Sequence, residues 1–351
     1  MGALGLTVAN DLASAALITF LRGKAMAQTI TDKPLLGWLK SNQKTYPGGN
    51  NLQVSGAVQG AFMSDTPGFL QGITEDDTIN FGQAQNINRW YYNGKQVIAG
   101  LIITWTELLK DGISVFDDSK GGKTKEHSEV SLTRLVSILE NRLEDFAESF
   151  ARTKNFMFWS DGSQDPKQPA GIKSILLDNS SVGTTGGINR ATYWWWRNRA
   201  NLTLQPGPAN ADMVQFFNSE LVQLRVFGGK PNKALCGSDF LAGLRSEVFA
   251  KGYFTMTGFS SEKATDLGMG GLHIPGLGKF EYDPTLDQRG ESKRCYVMSS
   301  KDLTLRVIDD EDDKPLMPER PYQYMIFLKN VTWAGVPSAQ RLNSMGVYAI
   351  A

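Results

Sequence analysis

Histidine and cysteine are almost missing from this chain, with two of each among 351 residues. His127 and His273 cannot build a His-rich metal centre. Cys236 and Cys295 stand far apart in sequence, without the CxxC spacing of a metal or redox site. The expectation is two buried, reduced thiols and a reducing compartment. An excess of charge is missing too: 36 basic residues balance 36 acidic ones. A dedicated nucleic-acid binder carries a basic surplus for its phosphate contacts, so the balance argues against that class. It also leaves little electrostatic self-repulsion, which permits packing against copies of the same chain. No run approaches the roughly 18 apolar residues that a membrane span needs. Ala13 to Leu21 followed by Ala25-Met26-Ala27 mimics a secretory signal, but its charges are misplaced. Asp11 precedes the apolar run, and Arg22 and Lys24 follow it. A short amphipathic helix or arm that stays on the protein is expected there.

Catalytic constellations are also lacking, and no enzyme activity, cofactor or metal is expected. Neither histidine has a GxSxG-type nucleophile turn to work with. Gly276-Leu277-Gly278-Lys279-Phe280 has His273 where a phosphate loop needs its first glycine, and Phe280 where it needs a hydroxyl. Gly268-Met269-Gly270-Gly271 lacks the third glycine of a dinucleotide turn. Asp309-Asp310-Glu311-Asp312-Asp313 offers oxygens to a cation but has no calcium-loop spacing, so a solvated loop between strands is the favoured reading.

What is present is an α+β pattern with unusual extended parts. Hydrophobic residues make up 41% of the chain, enough for a sizeable core. Leu35, Leu36, Trp38 and Leu39 sit in loop-like sequence and should dock on the chain's own body or on a neighbour. Leu52-Gln53-Val54 and Gln85 to Ile103 read as strands, with Asn93-Gly94 as a turn, and Ser64 to Phe81 between them fits a long projecting two-stranded loop. Leu132, Leu135, Val136, Leu139, Leu143, Phe146 and Phe150 then recur at three- and four-residue steps, predicting one long helix over about residues 129–157. Further helices are expected around Met213–Leu224 and after Ser238, with Gly252 as the stop of the second. Strands are expected at Lys279–Tyr282, Arg294–Met298, Leu303–Val307, Tyr322–Leu328 and Val331–Val336.

Trp194-Trp195-Trp196 is the oddest cluster. Read as an extended segment, it points successive rings to opposite faces, so an exposed interface anchor and a fully covered strand are equally acceptable, with a carbohydrate-stacking surface a weaker third.

These parts follow the order of a known pattern. Ser160-Asp161-Gly162, Ala170-Gly171-Ile172, Gly186-Gly187-Ile188-Asn189-Arg190-Ala191-Thr192-Tyr193 and Trp196-Arg197-Asn198 resemble the signature of the tailed-bacteriophage major capsid proteins. Lys33 to Leu39 and Trp333-Ala334-Gly335 are similar to family features as well. Asn189 departs from the usual acid, which removes an ion pair there but not a hydrogen bond. The resemblance implies the Hong Kong 97-like (Johnson) fold. Its parts would be an N-terminal arm at 1–50, an extended loop at 51–112 and a peripheral domain at 113–203 carrying the spine helix. An axial domain at 204–329 and a C-terminal strand at 330–351 returning to the peripheral domain would complete it.

Function would then be self-assembly, as pentamers and hexamers, into an icosahedral virion shell around double-stranded DNA, formed in the host bacterial cytoplasm. A portal protein, a separate scaffolding protein and a decoration protein are the implied partners, with weak non-specific DNA contact and no membrane; no fused scaffolding segment is expected. Assembly-interface candidates are Leu35, Leu36 and Trp38 of the arm, and Trp194, Trp195 and Arg197 of the signature. Arg89 and Lys95 of the extended loop are expected to pair with Glu140 or Glu144 of a neighbour. Deleting residues 1–30 should spare the fold and impair shells. The alternatives are an encapsulin-type compartment, which shares the fold, and a polysaccharide-active enzyme using the tryptophans.

Overall fold

The computed structural model describes residues 3–5, 32–65, 69–78, 86–104, 106, 114–116, 129–206, 213–250, 273–274, 277–316 and 326–351. In chain order, the first strands and helix are β1 (Ala3–Gly5), α1 (Pro34–Ser41), β2 (Gln43–Tyr46), β3 (Gln53–Gln59), β4 (Ile87–Asn93), β5 (Lys95–Thr104) and β6 (Ser114–Phe116). There follow α2 (Glu129–Trp159), α3 (Ile172–Ile175), β7 (Thr184–Thr185), β8 (Ile188–Asn189), β9 (Arg199–Leu204), α4 (Met213–Arg225), β10 (Lys233–Cys236), α5 (Ser238–Ala250), β11 (His273–Ile274), β12 (Gly278–Tyr282) and α6 (Pro284–Gln288). The chain closes with β13 (Arg294–Met298), β14 (Leu303–Ile308), β15 (Lys314–Pro315), β16 (Ile326–Ala339) and β17 (Gly346–Ile350). No helix among the described residues is long and apolar enough to cross a membrane. Expectations for residues 13–27 and for Gly252 fall outside the described residues, as does His127.

The predicted spine is α2, 31 residues and about 46 Å long at 1.5 Å per residue. Leu143, Phe146, Ala147, Phe150, Ala151 and Phe158 lie on its buried side at the expected three- and four-residue steps. The Phe146 and Phe150 rings stack with centroids 6.1 Å apart. Side chains from Glu129 to Asn141, with Glu140 among them, and that of Glu144 lie outside the described residues.

Two sheets divide the body. The six-stranded sheet runs β11-β12-β10-β13-β17-β9. Because side chains alternate along a strand, its faces serve different cores. Leu235, Tyr296, Met298 and Val347 join the core beneath α2, whereas Ala234, Cys236, Cys295, Val297 and Tyr348 join a second core with Phe217 and Phe240 of α4 and α5. The other sheet runs β15-β16-β14-β2, with β5 also paired to β16. Its longest ladder joins β5 to β16 antiparallel from Lys95↔Gly335 to Thr104↔Ile326.

This pairing bears on three expectations. Asn93-Gly94 is not a hairpin turn: β4 pairs with β3, β5 pairs with β16, and Gly94 is where the chain leaves one sheet for the other. Residues 95–104 and 303–308 therefore share one sheet, although the sequence put them in the extended loop and the axial domain. Within the C-terminal stretch 330–351, β16 packs beneath the spine and β17 joins the six-stranded sheet between β13 and β9. The expected strands at 322–328 and 331–336 merge into the single strand β16 as far as the described residues go.

Candidate interaction surfaces

The signature segment is a structural joint. Gly186 and Gly187, at φ of 58° and 77°, form the two-residue turn between β7 and β8. Both positive values match the mirror-image turn that tight hairpins use. Arg190 is fully buried behind it. Its guanidinium donates to Thr185 Oγ1 at 2.9 Å, to Asn198 Oδ1 and to the Ile175 carbonyl. Among the described residues no carboxylate pairs with it, and burial pushes its pKa down to about 10. Asn198 Nδ2 donates to the carbonyls of Leu177 and Arg199, each at 2.9 Å, while Trp196 Nε1 donates to the Thr185 carbonyl at 2.8 Å. Asn189 keeps a hydrogen bond, its Oδ1 accepting from the Ala191 amide at 2.8 Å.

Trp194–Trp196 is a 3₁₀ turn, not an extended segment. Three residues per turn send the rings in three directions instead of two. Trp196 is buried, Trp195 is half-buried, and Trp194 is 62% exposed, with a tilted contact to Phe227 at 5.9 Å between centroids.

The β3–β4 pair grips this joint. The Trp195 indole lies flat enough against Gly60 that any Cβ there would overlap it, and Tyr91 covers Gly187 in the same way. The Tyr91 amide donates to the Gly186 carbonyl at 3.0 Å. Trp90 and Tyr92 point inward and are buried, whereas beyond this base the apolar side chains face out. Phe62, Phe69 and Ile73 are mostly exposed, and Leu70 is 92% exposed. Single exposed apolar groups are ordinary; these four all lie in the connection between β3 and β4.

The arm is fastened by charge as well as by packing. Leu35, Leu36 and Leu39 are buried in the chain's own core, so the first two are not surface anchors; Trp38 is partly buried. Lys33 pairs with Glu148 at 2.8 Å, and the Leu36 amide donates to Asn155 Oδ1 at 3.1 Å. The acidic run is only partly the solvated loop expected. Asp309, Asp310 and Asp312 are exposed. Asp313 instead bridges Lys154 at 2.6 Å and Lys40 at 3.0 Å, joining α1, α2 and the β14–β15 connection. Lys154 itself is buried and lies over the Trp333 ring, 4.9 Å from its centroid. Burial works to raise Asp313, but the two ammonium groups outweigh it and hold its carboxyl below the usual value. Burial is likewise what lowers Lys154, against the pull of Asp313.

Other predicted positions are scattered. Arg89 is exposed on β4. Lys95 is not free, since its ammonium donates to the Pro166 carbonyl. Arg197 donates to the carbonyls of Arg190, at 2.7 Å, and Ala191, at 3.0 Å, so it fastens the joint. Glu140 and Glu144 cannot be placed beside Arg89, because their side chains lie outside the described residues. The sequence did not single out Gly60 or Tyr91 as contacts of the signature; glycine facing a bulky aromatic across a long separation leaves no local pattern. No group of three or more His, Cys, Asp or Glu suited to a metal ion occurs among the described residues.

No family model and no curated protein sequence matches the chain. Its fold, however, is similar to solved phage capsids along nearly the whole length. The capsid asymmetric unit of cyanophage A-1(L) aligns at 13% identity over 92% of this chain and 94% of that one, with a TM-score of 0.63. The capsid of Myoviridae phage XM1 aligns at 9% identity over 94% and 97%, with a TM-score of 0.54. The capsid of a native GTA particle does so at 11% identity over 92% and 94%, also at 0.54. The chain thus has the Hong Kong 97-like capsid fold that the signature implied.

Proposed function

We propose that this chain is a major capsid protein, whose copies assemble as pentamers and hexamers into the icosahedral head of a tailed phage around double-stranded DNA. The observation that carries this reading is the end-to-end likeness to capsid subunits, covering 92–94% of the chain in the three structures above. The projecting β3–β4 pair supports it: its outer apolar side chains need a partner, and a neighbouring copy supplies one with the same geometry at every border. Many small contacts of this kind act together around a closed shell. Assembly takes place in the host cytoplasm, with a portal protein and, where the genome supplies them, scaffolding and decoration proteins. DNA contact is weak and non-specific, in keeping with equal numbers of acidic and basic residues.

Arg89, exposed on the projecting pair, is the residue we assign to a cross-border ion pair with Glu140 or Glu144; Lys95 is already engaged by Pro166. An Arg89→Glu chain that assembles at the parent yield would remove this assignment. The overall reading is tested by negative-stain electron microscopy with size-exclusion chromatography of the full chain, alone and with its neighbouring gene products. Closed shells, or rings of five and six, are expected. A species that stays monomeric in both settings would overturn it.

A further inference from the structure

The two cysteines, unrelated in sequence, meet in the middle of the six-stranded sheet. Cys236 of β10 and Cys295 of β13 are direct partners in the antiparallel register, and their sulfurs are 3.4 Å apart. The Gly237 amide donates to the Arg294 carbonyl at 2.9 Å, which makes the adjacent pair Gly237–Arg294 the hydrogen-bonded one. Antiparallel ladders alternate, so Cys236 and Cys295 form a non-hydrogen-bonded pair, the kind with the closer Cα atoms, about 4.5 Å apart. That spacing falls inside the range a disulfide requires. Both side chains are fully buried in the second core, both are free thiols, and the chain has no other cysteine with which either could pair.

We propose that Cys236 and Cys295 form a latent disulfide site, reduced in the newly made chain and closed by a small peroxide once the particle leaves the reducing cell. One thiol, as thiolate, attacks the peroxide O–O bond and becomes a sulfenic acid, releasing water. The second sulfur attacks the first, the S–S bond forms and a second water leaves. Overall two thiols lose two electrons and two protons, and one hydrogen peroxide becomes two waters. Closure is slow, because burial and the neighbouring thiol push Cys295 well up and little thiolate is present. Burial also selects the oxidant: hydrogen peroxide is small enough to reach a covered sulfur that a bulky disulfide cannot. The resulting bond would join two central strands whose cysteines are 59 positions apart in sequence, restricting the unfolded chain.

The environment invoked here rests on the capsid reading, but the reaction does not, since both sulfurs belong to one chain. The test treats the purified full chain with hydrogen peroxide, unfolds it in a thiol-alkylating reagent and measures intact mass. The expected product has lost both alkylatable thiols together, is lighter by two hydrogens and melts roughly 5–10 °C higher. Cys295→Ser should give no internal bond and no such rise. Two alkylatable thiols surviving a dose that oxidises the unfolded chain would overturn the proposal, and so would oxygen-adducted cysteines without a disulfide. A disulfide in a chain that never assembles would leave the site standing while the capsid reading falls; shells with unreactive thiols would do the reverse.

Discussion

The six-stranded sheet and the β3–β4 pair are built from similar residues and differ in what covers them. The first has both faces buried by its own chain, Leu235 and Tyr296 on one side and Phe217, Phe240 and Tyr348 on the other. Among the described residues the second is covered at its base, where Trp90 and Tyr92 turn inward, and the connection beyond leaves Leu70 almost wholly in solvent. One region is complete as a single chain. The other is packed against its own chain at the joint that holds it, and its described apolar side chains beyond that point are exposed. A two-stranded ribbon is marginal by itself in water, so the joint decides where self-sufficiency ends.

Four substitutions sharpen this contrast, ordered by their effect on the stability of the single chain. Phe217→Ala empties a site in contact with the rings of Phe216, Phe240, Phe280 and Tyr348, and should cost about 3–5 kcal/mol in denaturant unfolding. A loss under about 1 kcal/mol would mean the sheet is less self-contained than its burial implies.

Asp313→Asn leaves the buried Lys154 without its closest anion, at a cost of about 3 kcal/mol near neutral pH. The sign of its pH dependence follows from the lowered carboxyl. Asp313 stabilises the fold above its unfolded pKa, and that contribution disappears as pH falls through the folded value. The parent's stability should therefore fall more steeply than the variant's on the acid side of about pH 4. Parallel slopes would show that the bridge contributes nothing.

Gly60→Ala forces the Trp195 ring away and should cost only about 1–2 kcal/mol, because the clash lies at the edge of the body. Its clearer signature is local: limited proteolysis should cut between residues 60 and 86 several times faster than in the parent. Leu70→Ser comes last, within about 0.5 kcal/mol of the parent in stability, since the side chain touches little. Its shell yield should nevertheless drop sharply. An unchanged yield would break the comparison, because the exposed tip would then need no partner.

Much of the body was legible in sequence because local periodicity carried it. The stripe through Leu143, Phe146 and Phe150 specified α2, and Arg294–Met298 is strand β13 residue for residue. What the chain pairs with across long separations was not legible. Asn93-Gly94 has the chemistry of a hairpin turn, yet β5 gains ten rungs by pairing with β16 instead of β4. Cys236 and Cys295 looked unrelated until the register placed them opposite each other. In the acidic run the sequence offered five like charges, and only the fold reveals that Asp313 turns inward to Lys154 while its neighbours do not. For the interaction surfaces, Leu35 and Leu36 were misjudged because exposure and burial give the same local pattern in so short a helix. Trp194 is exposed, as at least one of the three rings was expected to be, though the reason is a 3₁₀ turn and not strand alternation.

The ladder between β5 and β16 has a mechanical meaning. A tug on the projecting ribbon travels through Gly94 and enters β5 at its first rung, Lys95↔Gly335. From there the load runs along the strand, across its hydrogen bonds. Rungs loaded in that direction resist as a group, whereas rungs loaded end-on open in succession like a zip. The connection at Gly94 thus ties the β3–β4 ribbon to the longest ladder among the described residues, so that a pull on the ribbon meets ten rungs at once.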